Sequence, residues 1–125
     1  MTITELQQQY AAHPHTDAVN KLLNDTSVKH LFCGGLCASA ASFFSSSLIR
    51  KYDVPFVFIL GDLEEAGYFY HDLTQILGTE RVLFFPSSFR RAIKYGQKDA
   101  ANEILRTGAL SRLEKGDTSV CIVTY

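Results

Sequence analysis

The sequence predicts an α/β fold: a three-layer, open and mainly parallel sheet preceded by N-terminal helices. Two observations predict it. Four short apolar runs, at 28–33, 55–60, 81–85 and 119–124, are continuous rather than alternating, as strands covered on both faces must be. Between them lie longer segments whose apolar residues recur at helical spacing. Strand–helix alternation at these distances closes through right-handed parallel crossovers, with helices on both faces of the sheet.

Each element has its own warrant. A leading helix over about 2–12 stops at His13-Pro14, and a second over 16–23 is ended by Asn24-Asp25. The first strand, 28–33, leads through Gly34-Gly35 into a helix over 40–52 carrying Phe43, Phe44, Ser47 and Leu48. The second strand, 55–60, ends at Gly61-Asp62, a turn entering an N-cap. The helix beyond it, 64–77, sets Ala66, Phe69, Leu73, Ile76 and Leu77 on one face. Strand 81–85 runs into Pro86. The stretch from Pro86 to Gly96 is the least regular, and a helix over 100–113 then carries Ile104, Leu105, Leu110 and Leu113. The last strand, 119–124, ends the sequence at Tyr125 without a crossover, so a fragment of a longer protein is expected. The organisation expected is a helical extension over 1–27 and the first segment of an α/β domain over 28–125.

Composition narrows the classes. A length of 125 residues, 46% hydrophobic and 20% charged, fits one globular domain. Twelve basic residues against 13 acidic ones remove the global case for a polyanion-coating protein. The uncharged run 31–49 holds Gly34, Gly35 and five serines, too polar for a membrane span. The glutamine-rich start lacks a basic end and an apolar stretch, so it is no signal peptide. Three cysteines without regular spacing make no disulfide framework. A cytoplasmic protein without a membrane partner is the expectation.

The loop at 35–42 occupies the place of a P-loop: glycine, four residues, then Gly-Lys-Ser/Thr. Here Gly35 and Ser42 keep the first glycine and the hydroxyl, whereas Ala40 replaces the second glycine and Ala41 the lysine. Alanine cannot supply the point charge between the β- and γ-phosphates, and a Cβ at 40 crowds the phosphate's approach. No acidic residue follows strand 119–124 to hold magnesium. Two readings stand: a degenerate, non-catalytic P-loop, or a strand-to-helix turn in which small residues let the elements pack closely. A nucleotide-binding α/β enzyme using 35–42 is the alternative in another class.

Other candidates have plain counterparts. Cys33 and Cys121 fall in expected core strands and read as small apolar residues; Cys37, near a helix start, has the position of a favoured thiolate. His13-Pro14-His15 offers two metal ligands or a capped turn. His71 and Asp72 are adjacent on a helix and point about 100° apart, so they do not face each other. Arg90, Arg91, Lys94 and Lys98 fall nearly on one helical face, interleaved with Phe89 and Tyr95. That face could meet nucleic-acid phosphates, giving a small nucleic-acid-binding module, or an acidic partner; it could equally be a solvated face.

Taken together, Leu31-Phe32-Cys33-Gly34-Gly35-Leu36 with its small residues, the 55–60 strand, Asp62 to Leu73, and Val82-Leu83-Phe84-Phe85-Pro86 resemble the N-terminal, UvrB-like domain of the transcription-repair coupling factor family. Glu103 to Leu113 and Val120 to Tyr125 extend the resemblance, which covers essentially 28–125. It implies a RecA-like fold whose nucleotide motif has decayed, in keeping with Ala40 and Ala41. It implies a structural and regulatory segment, non-catalytic and without a cofactor of its own, packing against other domains of its parent. The parent would be a cytoplasmic ATP-dependent DNA translocase. Its downstream motor would use ATP and Mg, and it would contact UvrA, RNA polymerase and double-stranded DNA in transcription-coupled nucleotide excision repair. The first 27 or so residues match nothing specific. The basic cluster at 90–98 stands where the family is expected to be neutral or acidic.

Overall fold

A computed structural model describes residues 1–88 and 99–125. The chain resolves into two compact units, Met1–Tyr52 and Asp53–Tyr125.

The first unit is helical: α1 (Ile3–Ala11), α2 (Pro14–Leu23) and α3 (Ala40–Ile49). Thr2 caps α1 in a reciprocal box. Its hydroxyl accepts the Glu5 N–H at 3.1 Å, and its own N–H donates to the Glu5 carboxylate at 2.6 Å. The Thr2 N–H, and after it the Thr2 hydroxyl, hold the Glu5 carboxyl below its ordinary range. Pro14 takes the first position of α2, where a missing N–H costs nothing. His13 caps that helix, its Nδ1 accepting the His15 N–H at 3.1 Å. The Thr16 hydroxyl donates to the Tyr10 carbonyl at 2.7 Å, and Tyr10 stacks on Phe43 with centroids 5.5 Å apart. These contacts tie α1 to α2 and to α3.

The interior of this unit is polar. Gln7, Thr16, Asn20, Ser42, Ser45, Ser46 and Ser47 are buried, and Ile49 is the one apolar side chain buried with them. The serines suit the position because they are small and can bond within their own helix. Ser46 and Ser47 both donate to the Phe43 carbonyl, at 2.7 and 3.0 Å.

The expected first strand does not form. Residues 28–37 are irregular, and Phe32 stands 95% exposed. A strand persists only where a neighbour completes its hydrogen-bond ladder, and no described residue pairs with this run. Lys29 and His30 also interrupt its apolar continuity.

The second unit is an α/β sandwich of β1 (Phe56–Ile59), α4 (Leu63–Leu77), β2 (Val82–Phe85), α5 (Ala100–Glu114) and β3 (Cys121–Thr124). Its sheet is parallel with order β1-β3-β2. Register places Phe56 and Val82 beside Cys121, and Ile59 and Phe85 beside Thr124. The two helices lie on opposite faces. Phe58 and Phe84, on one face, meet Phe69 and Tyr70 of α4 at 5.0 and 5.3 Å, whereas Arg106 of α5 lies 4.2 Å over Phe85 on the other. Ala66, Leu73, Val82, Ala109, Val120, Cys121 and Val123 are almost wholly buried and form the core. Asp62 and Asp99 cap α4 and α5. Gly78 ends α4 at φ 90°, a left-handed conformation that favours glycine.

Beyond α5, Arg112 reaches Asp117 through Nε and a second guanidinium nitrogen at 3.0 and 2.7 Å. Asp117 also accepts the Ser119 hydroxyl and N–H at 2.6 and 2.9 Å. This half-exposed turn delivers the chain into β3. Among the described residues no helix is long and apolar enough to cross a membrane.

Candidate functional site

The segment from Gly35 to Ser42 enters α3 by a tight turn. Gly35 adopts φ 81°, and Ala38 adopts φ 47°, a left-handed conformation that costs an alanine roughly 1 kcal/mol. Two amides of that segment, and one in the first turn of α3, bond locally. The Ala40 N–H donates to the Cys37 carbonyl at 3.0 Å, the Ala41 N–H to Ala38 at 3.4 Å and the Phe43 N–H to Ser39 at 3.0 Å. Ser39 occupies the cap position without a side-chain cap bond, and the first turn carries no charge. Ala40 and Ala41 are half-buried, and Ser42 is only 1% exposed, so its hydroxyl faces protein rather than a solvent-borne metal. The segment carries no lysine, and its Ala40 and Ala41 amides are engaged within the turn.

The carboxyl ends of the strands are where open α/β sheets usually hold ligands. Among the described residues several polar groups there bond one another. The Tyr125 hydroxyl accepts the Ser87 N–H at 3.2 Å, Asn102 donates to the Ser87 carbonyl at 2.8 Å, and Thr124 donates to Phe85 at 2.7 Å. Arg106 donates to the Pro86 carbonyl at 2.9 Å and lies 3.9 Å from Glu103. Asp62 accepts the Glu65 N–H at 2.8 Å, which makes it a cap.

The cysteines divide differently from expectation. Cys121 is buried, and desolvation pushes its thiol up from the ordinary 9.0 to about 12. Cys33, expected inside a strand, is exposed, as is Cys37, whose thiol reaches the Gly35 carbonyl at 3.7 Å. His13 serves its helix as a cap, and no three His, Cys, Asp or Glu residues gather as a metal site among the described residues. His71 is exposed on α4. Arg90, Arg91, Lys94 and Lys98 lie outside the described residues.

One feature of the first unit escaped the sequence reading. A cavity of about 510 Å³ is walled by Tyr10, Phe32 and Phe44 with Val19, Leu22 and Leu31. His13 and His15 stand at its polar side, and no Asp, Glu, Lys or Arg lines it. The available signal was the spacing Val19, Leu22, Leu23 on α2, which normally marks a core face. The buried positions on α2 are instead Thr16 and Asn20. Compared with known protein families, curated proteins and solved structures, the chain matches none of them.

Proposed function

We propose that the chain is a non-catalytic structural and regulatory module of a transcription-repair coupling factor. In this reading the α/β unit belongs to a RecA-like fold whose P-loop has decayed, and the chain acts through protein contacts. The parent would be an ATP-dependent DNA translocase that removes stalled RNA polymerase and recruits excision repair through UvrA. The order of the sequence elements from Leu31 to Tyr125 supports the family reading. The observation that supports the non-catalytic part is the 35–42 segment: alanines at 40 and 41, a buried Ser42, and Ala40 and Ala41 amides bonded within the turn.

Two measurements test it. Titration with a fluorescent ATP analogue and magnesium is expected to give no saturable binding up to millimolar nucleotide; micromolar binding abolished by Ser42→Ala would overturn the decayed-loop reading. The reading frame beyond Tyr125 is expected to encode a helicase-like motor. A stop codon there would remove the parent translocase and the family assignment with it.

A further inference from the structure

We infer that the cavity of the first unit is a binding site for a neutral, ring-bearing small molecule with a hydrogen-bond acceptor at one end. Four observations carry this. At about 510 Å³ the cavity has the size of ordinary small-molecule sites. Tyr10, Phe32 and Phe44 line it; Tyr10 is held in place by its stack on Phe43 and by the Thr16 bond to its carbonyl, whereas Phe32 is 95% exposed. The fixed aromatic face of Tyr10 suits a flat ring.

Charge sets the second requirement. With no Asp, Glu, Lys or Arg in the lining, an ionic ligand would lose water without gaining a counter-charge. The third requirement comes from His13. Its Nδ1 accepts the His15 N–H, so the neutral ring carries its proton on Nε2. That N–H is a donor on a side chain that lines the cavity, and it suits a ligand carbonyl or ether oxygen.

The fourth observation concerns stability. The buried interior of this unit is polar apart from Ile49, while its larger apolar side chains gather around the cavity. They do not form a closed core of their own, so a ligand that fills the space supplies the apolar burial this unit otherwise lacks. This site does not rest on the nucleotide or family reading, although Leu36 of the 35–42 segment is part of its lining.

The test uses the whole 125-residue chain and the neutral fluorescent ketone 6-propionyl-2-(dimethylamino)naphthalene. Expected are saturable binding at one site, a blue-shifted emission and a raised melting temperature. Val19→Trp and Leu22→Trp each fill the cavity from α2, and each should weaken binding roughly tenfold or more with unchanged far-UV circular dichroism. Two variants are used because either ring could be misaccommodated. Anionic 2-naphthoate should bind at least about tenfold more weakly than the ketone. Non-saturable uptake of the dye, or unchanged affinity in both folded tryptophan variants, overturns the site. Equal binding of the naphthoate overturns its neutral character.

Discussion

The three cysteines offer a direct chemical reading of the fold. Cys121 is wholly buried in the central strand, and its thiol is displaced from 9.0 to about 12. Three logarithmic steps leave it about a thousandfold less thiolate than an ordinary cysteine at any pH well below 9, and the thiolate is the reactive form. Cys33 and Cys37 are exposed. Native protein treated with iodoacetamide at pH 8 should therefore gain two labels quickly. The third should come only through opening of the sheet, and urea should expose it. Mass spectrometry of peptides from a time course assigns each label. A single fast label, on Cys37, would mean that 28–33 is a buried strand after all, and would refute the exposed segment described above. Three fast labels would refute the burial of β3. The displacement also fixes a pH trend. Burial favours the neutral thiol, so its contribution to stability is whole below pH 9 and is lost as pH climbs toward 12.

Other outcomes follow from the same contacts. Leu73→Ala removes a fully buried side chain from the face α4 turns to the sheet, and should lower stability by about 3 kcal/mol in urea melts; a loss under about 1 kcal/mol would show that the site collapses around the deletion or was never packed. Asp117 should titrate near 2, held down by the Ser119 hydroxyl, then by Arg112 and the Ser119 N–H. Its contribution is present above the ordinary 3.8 and disappears as pH falls toward 2. Carboxyl-detected NMR should show Ser119→Ala moving that midpoint upward, and an unmoved midpoint would take the hydroxyl out of the account. His13→Ala should destabilise α2 by about 1 kcal/mol, seen as earlier amide exchange through Pro14–Leu23, because it deletes the cap's acceptor.

Much of the second unit was legible in the sequence because local and global preferences agree there. Asp62 is a cap, Ala66, Phe69, Leu73 and Ile76 recur on one face, and the runs at 55–60, 81–85 and 119–124 have neighbours to pair with. Strand order was not legible, since nothing in an apolar run says which neighbour it will take. In the first unit the three helices were legible, but not which of their residues would be buried. Its α3 reads as a serine-rich amphipath, yet the serines are inside, and α2 buries Thr16 and Asn20 while Val19 and Leu22 face a cavity. Hydrophobic periodicity assumes that the apolar stripe is the buried one. Where small polar residues pack helix on helix and satisfy their hydroxyls on their own backbone, that assumption inverts. The apolar run at 28–33 misled for a related reason: composition gives a segment's willingness to pair, and pairing needs a partner.

The order β1-β3-β2 also sets a timetable for synthesis. β3 supplies every ladder bond to both outer strands, yet it is the last of the three to leave the ribosome. Until residues 121–124 emerge, β1 and β2 have no strand between them, and α4 has only separate strips of apolar surface to cover. The sheet is therefore assembled in one late step and not grown strand by strand, and nascent chains stalled before Cys121 expose Phe56, Phe58 and Val82 together. For such a chain the hazardous interval in translation is long, and it closes with four residues.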